Sequence, residues 1–195
     1  GVLSLKFDQI YHEHVSYFTA KNIKSILRYA NLKIISLSKN PYHGGSLRTI
    51  AIKKSSKINE CKIDKFINFE NKNNIYRLQF YKQMMKKINL KKINILTKLI
   101  NLVAKGYIIS GIGAGAKSNT FLTFYGLDNH IIKFLTDSSK FKQNKYTPVT
   151  RIVIKDDKHL TNYNKIACII LSWNISNLVI KKIKKLNKKI KLIYT

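Results

Sequence analysis

The chain has 195 residues, enough for one domain or a domain with a lead-in segment, and its 45% hydrophobic content suits a protein that buries a core. Cys61 and Cys168 stand alone, with no histidine at zinc-finger spacing, and the longest nearly apolar run (166–173) is far short of a membrane span. These features exclude a disulfide scaffold, a structural zinc site and a membrane helix, and point to a reducing, cytoplasmic setting. The 37 Lys and Arg against 9 Asp and Glu give a net charge of +28, but the lysines lie in scattered pairs such as 53–54, 86–87, 91–92 and 181–182. They rise together with 19 Asn and 30 Ile, the pattern of AT-rich coding drift, which weighs against a specific nucleic-acid partner. Tyr and Phe interleaved with the lysines keep an RNA-binding module as a competitor.

Residues 2–7 alternate like a strand, and a loop with the cluster Tyr11-His12-Glu13-His14 follows. Ser16 or Thr19 is placed to cap a helix whose apolar positions, 23, 26, 27 and 30, recur at three and four. Residues 32–37 read as a strand, Asn40-Pro41 as a break, and 47–52 as a second strand. The Asn- and Lys-rich stretch 53–74 reads as a linker or variable surface element. Two helices are expected at 75–88 and 93–104. Strands at 107–110, 131–136, 151–154, 166–172 and 190–194 then alternate with helices at 116–125, 157–163 and 175–186. Such alternation implies a parallel sheet covered on both faces.

Two places carry chemistry. The Tyr11-His12-Glu13-His14 loop concentrates titratable groups in a chain with 5 histidines, and histidine beside a carboxylate or phenol is equipment for proton transfer. A metal reading of this loop has no third ligand beyond His43. The second place is Gly111-Ile112-Gly113-Ala114-Gly115-Ala116, a G-x-G-x-x-A pattern between a strand and a helix. Glycines there let backbone approach a pyrophosphate at the positive helix end. Asp137 closes the next strand, where dinucleotide folds place a ribose-binding acid. An NAD(P)-binding oxidoreductase domain is therefore a second competitor. Lys117 opposes the dipole at the start of its helix, a conflict that an anionic ligand removes.

Phe7-Asp8-Gln9-Ile10-Tyr11-His12-Glu13-His14-Val15-Ser16-Tyr17 resembles the signature of the C-methyltransferases that act on nucleotide-linked 4-keto deoxysugars. His43-Gly44-Gly45-Ser46-Leu47-Arg48, then Gly111 through Thr120, then Lys142-Gln143-Asn144-Lys145-Tyr146-Thr147-Pro148, and finally Trp173-Asn174 agree in order. The family's pattern has proline at the place of Gly115 and glycine near Ser118 and Asn144. The resemblance implies an α/β fold: a Rossmann-like parallel sheet covered by helices, preceded by a catalytic loop and a small α/β lead-in. Its implied domains are 1–18, the last strand of a methyl-donor fold with the catalytic loop; 19–74, the lead-in and linker; and 75–195, a sugar-nucleotide-binding domain.

The resemblance further implies His14 as the base that removes the proton beside the ketone, with Tyr11 and Glu13 orienting the sugar or steadying the enolate. His43, Gly44, Ser46, Arg48, Gly111, Gly113, Lys117, Asn119, Lys145, Tyr146 and Trp173 would face the nucleoside diphosphate sugar. It implies S-adenosylmethionine as methyl donor, held mostly outside this chain, and zinc only in an N-terminal region that this chain does not contain. Residue 1 is Gly rather than Met, and the expectation is the back part of a longer, cytoplasmic protein. On that expectation the chain is inactive alone and works with its methyl-donor domain in cis or in trans. It has no membrane partner and no specific nucleic-acid partner.

Overall fold

A computed structural model describes residues 7–41, 45–172 and 176–194. The strand expected at 2–7 lies outside them except for Phe7, which opens a short 3-10 helix, Phe7–Gln9. The chain divides into two compact units, with Glu13–Ile88 in one and Asn89–Thr195 in the other; residues 8–12 go with the second.

In the first unit Thr19 caps helix α1 (Ala20–Tyr29), its Oγ1 accepting the Asn22 N–H at 3.2 Å. Strands β1 (Leu32–Asn40) and β2 (Ser46–Lys53) form an antiparallel hairpin, with a register shift between Ile34 and Ser36. The stretch expected as a linker contains a helix instead, α2 (Asp64–Lys72). Its period was hidden by Asn and Lys, but Ile63, Phe66 and Ile67 pack with Ala20, Ile34 and Leu37 into one cluster. Glu70, the next position on that face, is buried because its carboxylate caps α1, accepting the Ala20 N–H at 2.7 Å and the Lys21 N–H at 3.4 Å. Tyr76 donates to the same carboxylate, and burial together with that bond pushes its phenol up to about 12.

The two helices expected at 75–88 and 93–104 are one, α3 (Leu78–Ala104). No proline or glycine interrupts 89–92, and the buried positions Ile88, Ile95, Leu99 and Leu102 keep helical spacing through it.

The second unit holds β3 (Ile108–Ile112), α4 (Ala116–Tyr125), β4 (Phe134–Thr136), β5 (Ile154–Lys155), β6 (Ile166–Ile170), α5 (Ser176–Leu186) and β7 (Lys191–Ile193). The five strands form one parallel sheet in the order β5-β4-β3-β6-β7, a Rossmann-like α/β architecture. Every residue of β3, β4 and β6 except Ile108 is buried, as a sheet covered on two faces requires. On one face Ile112, Phe134, Ile166, Cys168 and Ile170 pack with Ile183 of α5, leaving the α5 lysines outward. Burial pushes the Cys168 thiol up to about 12, so this cysteine serves packing.

Among the strand boundaries that depart from expectation, three lie beside the glycine motif or in the strands that follow it. β3 runs two residues further, taking Gly111 and Ile112 into the sheet. β4 starts only at Phe134, because the Ile131 and Ile132 N–H groups turn back onto the Asp128 carbonyl. β5 starts late because Val149 and Arg151 adopt positive φ (63° and 50°), which no strand accommodates. The helix expected at 157–163 is a 3-10 helix, Asp157–Asn162, started by Asp156.

Candidate functional site

In the sheet order, the chain leaves β3 for β4 and β5 on one side, and for β6 and β7 on the other. The strand order therefore reverses between β3 and β6, and ligands of doubly wound sheets bind outside the carboxyl ends at such a point. The glycine motif lies there. Its three glycines answer to different constraints. A Cβ on Gly111 would meet Leu135 at 2.6 Å and Leu171 at 2.8 Å. Gly113 has φ +98°, and its Cβ would stand 1.8 Å from Ser172 Oγ, just past β6. A Cβ on Gly115 would meet nothing within 4 Å among the described residues, so of the three glycines it is the one that borders open space there, at the N-cap of α4.

The loop is tied on both sides. Gly113 N–H donates to the Thr136 carbonyl at 2.7 Å, and Gly115 N–H donates to Ser118 Oγ at 3.2 Å. At the other end of α4, Lys92 donates to the Phe124 carbonyl at 2.6 Å, a cation at the negative end of the dipole. Lys117 lies half-buried in the first turn. Asn119, one turn in, is half-buried with a buried Oδ1 that has no hydrogen-bond partner among the described residues, and neither has the Oγ1 of Thr136.

Asp137, at the end of β4, accepts the Ala114 N–H (2.9 Å) and Lys142 Nζ (3.3 Å) on Oδ2, and the Ser139 N–H (2.9 Å) on Oδ1. Burial raises this carboxyl, but the two backbone N–H groups and Lys142 outweigh it and hold it below its ordinary value. A depressed carboxyl contributes stability above its unfolded value and loses that contribution as pH falls through the folded one. The stability gap between wild type and Asp137→Asn should therefore be widest above about pH 4 and shrink below it. Urea unfolding between neutral and acid pH checks this, and a gap independent of pH would assign the effect to packing.

Gln143 bridges the Asp137 carbonyl (3.0 Å) and Asp156 Oδ2 (3.1 Å), linking the loop after β4 to β5. Asn144 sits at φ +60°, a conformation that glycine takes freely and asparagine tolerates. Lys145 and Tyr146 follow, both exposed, with Tyr146 in a single bridge to Val153. A polar groove of about 400 Å³ lies beyond, lined by Gln143, Asn144, Lys155, Lys158 and His159 among others.

Of the residues expected to carry proton transfer, Tyr11 and His14 are half-buried, and His12 and Glu13 are exposed. The His14 ring meets Tyr17 edge-on at 6.3 Å, and Tyr11 meets His12 at 6.0 Å. Ser46 and Arg48 are exposed on β2, opposite Asn40 and Ser38. His43, Gly44 and Trp173 lie outside the described residues. Sequence reasoning missed Ser172, whose contact makes Gly113 obligatory, and Gln143 as a bridge. The position of Ser172 beside Trp173-Asn174 was the available signal. Among the described residues no group of three or more His, Cys, Asp or Glu is placed to hold a metal ion, and no helix is long and apolar enough to cross a membrane.

A parallel sheet with a glycine loop at its reversal point defines a Rossmann-like α/β domain. The profile of the C-methyltransferase C-terminal domain matches residues 41–194, and the chain belongs to that family. Among curated proteins it is similar to C-methyltransferase NovU of Streptomyces niveus, 25% identical over 171 residues. That alignment covers 87% of this chain and 40% of the relative, so the chain spans well under half of that relative's length.

Proposed function

We propose that this chain acts as the C-terminal part of an S-adenosylmethionine-dependent sugar C-methyltransferase that works on a nucleotide-linked 4-keto sugar. The observation that carries the reading is the loop 113–119 at the strand-order reversal, in a chain of the C-methyltransferase C-terminal domain family. In this reading the open side of Gly115 and the first turn of α4 receive the diphosphate, with Lys117, Asn119, Lys145 and Tyr146 around it. Residues 1–18 supply the catalytic loop, 19–74 the lead-in and 75–195 the sugar-nucleotide-binding domain.

The α-proton of a ketone is a weak acid, so its removal needs a base that titrates near neutrality and donors for the developing oxyanion. His14 is the base, and Tyr11 and Glu13 hold the sugar or its enolate. The enolate carbon is then the nucleophile. S-adenosylmethionine supplies an electrophilic methyl carbon, and its sulfonium cation does not suit the positive end of α4. Its place in this reading is a methyl-donor domain acting in cis or in trans, the region to which zinc also belongs.

Calorimetry with a thymidine diphosphate sugar and with NAD tests the reading. The sugar nucleotide should bind more tightly, and Lys117→Ala should weaken it by about 1–3 kcal/mol, the range of a charge-assisted hydrogen bond. Tight NAD binding without a response to the sugar nucleotide would favour an oxidoreductase domain instead.

A further inference from the structure

We infer that Asp137 is a positioning residue that clamps the glycine loop to the loop after β4, and that it does not read the pentose of the bound nucleotide. The inference rests on the nucleotide-sugar reading above and sharpens it. In dinucleotide folds the acid closing this strand turns outward and binds the ribose 2′-hydroxyl. Here the carboxylate turns inward: Ala114 N–H and Lys142 occupy Oδ2, and Ser139 N–H occupies Oδ1. A carboxylate has about four acceptor positions, so three are taken and a two-point grip on a sugar diol is not available. Only 14% of the side chain is exposed.

The backbone of the same residue completes the clamp. Its N–H donates to the Lys155 carbonyl at 3.1 Å, and its carbonyl accepts Gln143 Nε2 at 3.0 Å. Asp137 thus joins two segments that were separate motifs in the sequence, 111–120 and 142–148. Fixing the Ala114 N–H fixes the turn between Gly113, pressed on Ser172, and Gly115, which faces open space. The charge of Lys142 is partly answered by the same carboxylate. The clamp therefore shapes the diphosphate cradle while leaving the 2′ position of the nucleotide unread.

UDP and dUDP differ only in that hydroxyl, and calorimetry of the purified chain with each tests the inference. Wild type should bind the two within about twofold, and Asp137→Asn should weaken both about tenfold with their ratio unchanged. Amide hydrogen exchange at Ala114 and Ser139 should quicken in the variant. A wild-type preference for UDP of about tenfold or more, abolished in Asp137→Asn, would make Asp137 a ribose ligand and overturn the inference. Unchanged affinities and unchanged exchange in the variant would overturn the clamp. The wild-type ratio needs no variant, so the inference remains open to refutation if Asp137→Asn does not fold. If neither nucleotide binds wild type, the nucleotide-sugar reading fails and the claim about the pentose falls with it, while the exchange rates still decide the clamp.

Discussion

His14→Asn, in an enzyme with its methyl-donor domain in place, should lower turnover by roughly 10²–10⁴ and leave sugar-nucleotide affinity nearly intact. Asparagine keeps a polar side chain of similar reach but has no basic nitrogen near neutrality, so the change isolates proton abstraction from positioning. His14 is half-buried with its ring edge-on to Tyr17, on the same short loop as Tyr11 and Glu13. Steady-state turnover and substrate affinity, measured on the same preparation, separate the two effects. Full turnover in the variant would move the role of base to His12 or Tyr11.

The second large effect lies in the glycine motif, where the two glycines flanking Ala114 should fail in opposite ways. Gly113→Ala places a Cβ 1.8 Å from Ser172 Oγ at φ +98°, so both space and backbone oppose it. A loss of about 2–4 kcal/mol in unfolding free energy is expected, within the range of strained-backbone and overpacking substitutions. Gly115→Ala meets nothing within 4 Å among the described residues and has φ −97°, which any residue adopts. It should cost less than about 1 kcal/mol as an N-cap change. Because its Cβ enters the open space beside α4, it should nevertheless weaken sugar-nucleotide binding. Denaturant unfolding and calorimetry on both variants check the pair. Equal stabilities, or a Gly115→Ala variant with undiminished binding, would contradict the assignment.

Much of the architecture was readable because the chain alternates apolar strands with amphipathic helices. Thr19 as a cap, the 116–125 helix and the buried run after Lys165 follow directly from local pattern. What escaped depends on contacts distant in sequence. α2 reads as a linker because six of its nine residues are Asn, Asp, Glu or Lys; its pairing with α1 through Glu70 spans 50 positions. The pattern divides α3 because Asn89-Leu90-Lys91-Lys92 looks polar, although nothing in it stops a helix. Asp137 was legible as an important acid but not as one turned inward, since only the fold brings Ala114, Ser139 and Lys142 around it. The same holds for the glycines: the motif marks all three, and only packing separates the two that fit neighbours from the one that faces open space.

The central claim, that a nucleotide sugar is held by the glycine loop at the strand-order reversal, is tested most directly by titrating the isotope-labelled chain with a thymidine diphosphate sugar and following its backbone amides by NMR. The account predicts saturable shifts concentrated at 113–119 and 142–146, with matching perturbation of the ligand's two phosphorus signals. Shifts confined to other parts of the chain, or the same response from NAD alone, would contradict it.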